Sequence, residues 1–177
     1  MDRRGSGSRI PVNALPALPS GTVVFVDANI FVYGLLGESQ QSARFIERCR
    51  NEDLAGVTTT EVVGEVCHRL MLKEAMDLGL ISRPAAASLR AKHKAIRGLH
   101  KYWELTARLF QWNLVVLASN ESRHRTAQRI RTKYGLLTND SLVVAACVEH
   151  DIRALASRDA DFDSIAELMV CSPSDVS

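Results

Sequence analysis

The sequence predicts an α/β protein built on a central, mostly parallel sheet with helices on both faces, and three observations carry that expectation. Short apolar runs alternate with longer stretches of helical periodicity from Thr22 to Cys171. The first run, Val23-Val24-Phe25-Val26, is apolar throughout instead of alternating, as suits a parallel strand buried on both faces. Runs of this kind are followed by cap or turn residues, Asp27, Thr58-Thr59-Thr60 or Ser119-Asn120, that open a helix.

Taken in order, Val23 to Val26 is the first strand, and Asn29 to Leu36 is a short helix stopped by Gly37. Ser39 to Arg50 is a second helix with Ala43, Phe45, Ile46 and Cys49 as its apolar stripe. Ala55 to Thr58 is the second strand. Thr58-Thr59-Thr60-Glu61 fits a capping box, with Thr58 as N-cap and Glu61 reaching back from the third helical position. Val62, Val63, Val66, Cys67, Leu70 and Met71 then recur at helical spacing, and the helix runs to Asp77 before Gly79. Pro84 is placed to open a long basic helix reaching Gly98, and Leu99 to Trp112 forms another. Residues 80–113 are thus a helical excursion between the second and third strands. Leu114 to Leu117 is the third strand, and Ser119 or Asn120 caps a helix that ends near Tyr134-Gly135. Thr138-Asn139-Asp140 starts the next helix with Thr138 or Asn139 as its cap, so that Asp140 is not needed for capping; Ile152 to Ala156 is the fourth strand, and Leu168 to Cys171 adds a short fifth. The organisation expected is a flexible leader over residues 1–20, one domain over residues 21–172, and a tail over residues 173–177.

Composition narrows the class. Of the 177 residues 46% are apolar and 24% charged, the balance of an ordinary globular domain with a proper core. No apolar run approaches the roughly 20 residues that span a bilayer, and Pro11, Pro16 and Pro19 interrupt the N-terminus where a secretory signal would need an apolar stretch. Cys49, Cys67, Cys147 and Cys171 are widely spaced and form no Cys-x-x-Cys pair, so they read as reduced core residues of a cytoplasmic protein. The five histidines form no His-x-x-x-His pair, which argues against a zinc hydrolase. The net charge of +2 hides an asymmetry, because residues 83–133 hold 12 Lys and Arg against two acids, Glu104 and Glu121. A basic middle and an acidic remainder suit a metal-binding pocket beside a surface that attracts polyanions, although helix exteriors also carry Lys and Arg for solubility.

Four acids fall where such a fold delivers side chains to the carboxyl edge of its sheet. Asp27 and Asp159 each follow a strand, and ligands of open α/β sheets bind beyond the strands' carboxyl ends. Glu65 and Asp140 sit in opening turns of helices that face the same edge. Any one of them alone reads as a cap or turn residue. Together they would repel one another strongly, and a divalent cation with oxygen ligands removes that repulsion. Glu61 is assigned to the capping box, with Glu65 the better candidate for the site acid of that helix and Glu61 able to assist it. Asp161 stands as a second acid near the site or as an N-cap before Phe162, and Asn29 hydrogen-bonds a site carboxylate or local backbone.

With these residues in place, the chain resembles the PIN-domain family, and within it the VapC-type toxins of toxin–antitoxin pairs. The resemblance rests on Val-Phe-Val-Asp27-Ala-Asn29, on Thr59 followed by Glu65-Val66, on Asn139-Asp140-Ser-Leu-Val-Val-Ala-Ala, and on Ser157-Arg-Asp159-Ala-Asp161-Phe162. It implies a three-layer α/β/α sandwich and a Mg²⁺- or Mn²⁺-dependent endoribonuclease with Asp27, Glu65, Asp140 and Asp159 as its acidic quartet. It also implies an RNA substrate, a small cognate antitoxin and a homodimer. Ser157 stands where the family commonly has Thr, and the excursion is longer than in the smallest toxins. Arg123, Arg125, Arg129, Arg131 and Lys133 are the first candidates to hold RNA phosphates, with Lys92, Lys94, Arg97 and Lys101 as a second group. The alternatives are a housekeeping PIN-type nuclease, a Mg²⁺-dependent phosphatase, disfavoured because Asn29 stands where a second Asp is needed, and a non-catalytic RNA- or partner-binding module.

Overall fold

The computed structural model describes residues 14–176. Five strands form one sheet: β1 (Val23–Val26), β2 (Ala55–Thr59), β3 (Leu114–Leu117), β4 (Ala154–Ala156) and β5 (Met169–Cys171). Their order is β3-β2-β1-β4-β5, and every pairing is parallel. The chain therefore builds outward from β1 through β2 to β3, then returns to the other side of β1 to add β4 and β5. That reversal opens a crevice between β1 and β4 at the carboxyl edge, where ligands of doubly wound sheets bind. Asp27 and Asp159 follow the two strands that flank it.

The helices are α1 (Ala28–Leu36), α2 (Gln40–Arg50), α3 (Thr60–Asp77), α4 (Ala86–Arg90), α5 (His93–Ile96), α6 (Lys101–Ala107), α7 (Glu121–Tyr134) and α8 (Thr138–Glu149). Helix α1 stops because Gly37 takes the left-handed conformation at φ 72°, which a side chain would strain. Close packing of α1 on α2 depends on Gly34, since a Cβ there would meet Ile46 Cδ1 at 2.5 Å. Helix α8 is buried along Leu142 to Cys147, so the acid in its first turn sits on an element fixed by the core. The upper half of α3 joins the main core through Val62, Val63, Val66 and Leu70. Its lower half uses Leu72 and Ala75 to anchor the excursion through Ile81, Leu89 and Leu99. Glu74 of α3 completes that anchor by accepting bonds from the backbone N–H groups of His100, Lys101 and Tyr102 at 3.1, 3.2 and 2.8 Å.

Several local expectations shift. Strand β2 runs one residue further than expected, with Thr59 paired to Leu117, so the cap of α3 moves from Thr58 to Thr59. Thr58 instead donates to the Val26 carbonyl at 3.0 Å, tying β2 to β1. The long basic helix from Pro84 to Gly98 is two short helices, α4 and α5, because the chain leaves helical geometry at Lys92 (φ −106°, ψ 49°). Leu99 to Trp112 is α6 followed by a 3-10 turn over Arg108–Gln111. The fourth strand starts at Ala154, since Asp151 bends the chain at φ 51° just before it. Neither Thr138 nor Asn139 caps α8, whose N-cap is Leu137 with no side-chain bond. Of the expected leader, Leu15 and Leu18 are buried in the core and Leu15 bonds the Ser172 carbonyl, while residues 1–13 lie outside the described residues. The tail docks on the start of α2, where Asp175 accepts from Ser39 Oγ at 2.6 Å and from the Gln41 N–H at 3.0 Å. Cys49, Cys147 and Cys171 are buried and free, and Cys67 is partly buried and free.

Candidate active site

A pocket at the carboxyl edge is lined by Asp27, Asn29, Thr59, Glu61, Glu65, Arg69, Asn139, Asp140 and Asp159, among others. Its floor is Asp27, which is 8% exposed. One carboxylate oxygen accepts from the Ala28 N–H at 2.7 Å and thereby caps α1. The other accepts from Asn29 Nδ2 at 2.5 Å and from Ser157 Oγ at 2.7 Å. Ser157 Oγ also accepts from the Asp159 N–H at 3.0 Å, and Asn29 Oδ1 accepts from the Arg158 N–H at 3.1 Å. The loop after β4 is thus fastened to the first turn of α1 through Asp27. Burial pushes the Asp27 carboxyl up to about 6; the Ser157 and Ala28 bonds oppose that rise, and the charges of Glu65 and Asp140 add to it.

The other acids stand around this floor on separate elements. Asp140, in the first turn of α8, is raised above the usual carboxylate range by burial and then by Asp159, Asp161 and Glu65. Glu65 accepts from Asn139 Nδ2 at 3.3 Å and faces Arg69 Nη1 at 3.8 Å, too far for a hydrogen bond. Asp159 is exposed and caps a 3-10 turn (Ala160–Ser164) by accepting from the Asp161 N–H at 3.0 Å. Asp161 is exposed, near enough for its charge to raise Asp140. All four acids singled out in the sequence therefore line one pocket.

Arg69 was missed, and Glu61 was expected only to assist. Glu61 is not the closing residue of a capping box: with the cap on Thr59, it stands in the first turn and lines the pocket. Its Oε1 is buried with no hydrogen-bond partner, while Oε2 accepts from Thr60 Oγ1 at 3.2 Å. The signal for both was present, because Glu61, Glu65 and Arg69 are spaced four apart and so share one face of α3. Ser157 also deserves a place in the site, since its hydroxyl binds Asp27 directly.

The expected basic strip on α7 divides. Arg123 is a correction: it is 1% exposed, pairs with Glu149 at 2.9 Å and donates to the Ala118 carbonyl, so it holds α7 to α8. Arg125 pairs with Glu121, and Lys133 pairs with Glu167 at 2.8 Å. Arg131 donates to Ser141 Oγ at 2.9 Å, and Arg129 is exposed and donates to Thr126. None of the five lines the acidic pocket. In the second group, Lys92 donates to the Leu80 carbonyl, and Lys92, Lys94 and Arg97 border a shallow depression on α5.

The donor set is entirely hard oxygen, the chemistry a divalent cation prefers, and Glu61, one oxygen of which has no partner, lines the same pocket. Among the described residues no three His, Cys, Asp or Glu side chains are arranged as a ready metal site. The acids form an open cleft with a fixed floor.

Fold and pocket together define a doubly wound α/β protein with an acidic cleft at its topological switch point. The PIN-domain family profile matches residues 24–168, and the chain belongs to that family. It is similar to ribonuclease VapC6 of Methanocaldococcus jannaschii, 25% identical over 150 residues that cover 80% of this chain and 92% of that protein. Among solved structures it resembles VapC20 of Mycobacterium tuberculosis, a sarcin–ricin loop cleaving toxin, with a TM-score of 0.55 at 15% identity over 84% of this chain and 98% of the other. VapBC2 of Rickettsia felis, bound to a DNA fragment from its promoter, gives a TM-score of 0.54 at 13% identity over 86% and 99%. At these identities the two structures speak for the fold. No helix among the described residues is long and apolar enough to cross a membrane.

Proposed function

We propose that this protein is a divalent-metal-dependent endoribonuclease and the toxin of a toxin–antitoxin pair. The observation that carries the reading is the buried Asp27 carboxylate, which is held by three hydrogen bonds at the floor of a pocket where Glu65 and Asp140 raise its proton affinity. Burying a carboxylate among other acids costs stability, and a site keeps that cost where function uses it. Similarity to a VapC ribonuclease supports RNA as substrate.

Asp27, Glu65, Asp140 and Asp159 would hold the cation, with Glu61 close by. Mg²⁺ or Mn²⁺ bound there supplies neutralising charge for the scissile phosphate and acidifies the attacking water. The chain's own part is positioning. Ser157 and Asn29 fix the Asp27 carboxylate from one side and the Ala28 N–H fixes it from the other. Asn139 orients Glu65, and the Asp161 N–H orients Asp159. Asn29 donates to Asp27 and takes no part as an acid, which disfavours an aspartyl-phosphate phosphatase. A small antitoxin and a second copy of the chain are the protein partners this reading implies, the first supported by the VapBC2 complex among the similar structures.

The test is cleavage of total RNA with Mn²⁺ or Mg²⁺. Asp27→Asn is expected to remove several kcal/mol of charge stabilisation and lower the rate by roughly 10³-fold or more. An Asp27→Asn protein that cleaves at the wild-type rate sinks the site. Equal cleavage by the wild type in EDTA sinks the metal dependence.

A further inference from the structure

The geometry points to Arg69 as the residue that holds an RNA backbone phosphate at the mouth of the acidic cleft. The inference rests on the ribonuclease reading and names a contact that reading lacks. An acidic pocket repels a polyanion, so an RNA strand entering it needs a cation at the entrance. Among the described residues Arg69 is the one Lys or Arg lining the pocket, and it also borders the adjoining groove beside Tyr33 and Leu36, which places it at the mouth. Its side chain is 38% exposed, and its contact with Glu65 is a loose 3.8 Å approach along one helix face. Solvent screens such a pair, so the guanidinium keeps most of its donors for a ligand. None of the five basic residues of α7 lines the pocket, and Arg123 is buried on Glu149. A guanidinium binds a phosphate through two parallel N–H bonds, which Lys cannot reproduce.

The experiment measures binding of a short fluorescein-labelled single-stranded RNA of mixed sequence by anisotropy, in Ca²⁺, across a range of KCl concentrations. Wild type, Arg69→Gln and Arg69→Lys are compared, with circular dichroism to show that each is folded, and Mn²⁺ affinity is measured by calorimetry without RNA. Arg69→Gln is expected to weaken RNA binding roughly tenfold and to reduce the salt slope by about 0.7, the value for one phosphate contact on a single strand. Arg69→Lys is expected to keep the slope and recover part of the affinity. Should Arg69 serve only to neutralise Glu65, Arg69→Gln will bind Mn²⁺ more tightly and leave affinity and slope for RNA unchanged, which overturns the proposal. A wild type that binds no RNA overturns the ribonuclease reading and this one with it, whereas RNA binding unaffected by either variant overturns only the role of Arg69.

Discussion

Asp27 and Glu65 line the same cleft, yet the chain holds them in opposite ways. Asp27 is buried and receives three hydrogen bonds between 2.5 and 2.7 Å, from α1 and from the loop after β4. Glu65 is a third exposed, receives one bond at 3.3 Å, and meets Arg69 only at 3.8 Å. One wall is welded to the sheet at the switch point, and the other is a helix face whose polar groups are loosely engaged. Positioning a reacting phosphate requires a rigid reference, and admitting metal and RNA requires groups that can change partners. On the proposed function, the asymmetry would give each wall one of those tasks.

The largest test of the comparison exploits the burial of Asp27. Its carboxyl is raised to about 6 in the folded protein against an ordinary value of 3.8, so the folded state binds the proton more tightly than the unfolded chain. Without metal, the favourable contribution is complete below about pH 4 and is lost as pH rises through about 6. That window corresponds to about 3 kcal/mol of pH-dependent stability. In EDTA, Asp27→Asn is expected to remove this dependence, leaving a stability profile flatter between pH 4 and pH 7. The amide also places an NH₂ group against donors, so the absolute stability of the variant changes less than its slope. Urea unfolding at several pH values reads the difference, and profiles of equal slope would break the contrast between the walls.

A smaller effect compares one hydrogen bond from each wall. Ser157 is buried, donates to Asp27, and accepts from Asn29 Nδ2 at 3.1 Å and from the Asp159 N–H. Ser157→Ala leaves those groups short of partners and is expected to cost roughly 1–3 kcal/mol. It also removes a bond that lowers the Asp27 carboxyl, so the stability loss with pH should extend to higher pH. Asn139 is exposed, and Asn139→Ala is expected to stay within roughly 0.5 kcal/mol of wild type. Equal costs for the two substitutions would mean that the α3 wall is as firmly built as the floor.

How much of this was legible follows the same division. Strand positions, the parallel sheet and the four acids could be read because continuous apolar runs and the cap residues after them are local signals. The tertiary links could not. Nothing in the sequence tells that Ser157 reaches Asp27 across 130 positions, or that Arg123 is consumed by Glu149. The three consecutive threonines before Glu61 left the cap ambiguous by one residue, and only the pairing of Thr59 with Leu117 settles it. The basic stretch reads as one helix because Pro84 suits a helix's first turn, whereas the chain breaks at Lys92 within a segment whose Ile81, Leu89 and Leu99 pack with α3, a tertiary contact with no local signal.

That one-residue shift of the cap leads to the finest test. Freed from the capping box, Glu61 keeps its carboxyl below the usual range: burial raises it, but the polar surroundings of Ser119, its own backbone, Thr59 and Thr60 outweigh burial, so it is ionised at neutral pH. Its Oε1 nevertheless lacks a partner, in a pocket that already holds four other acids. An unpartnered carboxylate oxygen in such a pocket is one that a bound cation would complete. Glu61→Gln keeps the shape and the Thr60 neighbourhood but removes the charge. It is expected to weaken Mn²⁺ binding by roughly tenfold, the usual effect of losing a supporting group at a metal site, with little change in melting temperature in EDTA. Calorimetry of Mn²⁺ against wild type and Glu61→Gln gives the answer directly. Identical affinities would return Glu61 to a purely local role at the start of α3 and leave the loose wall with Glu65 as its only metal-facing acid.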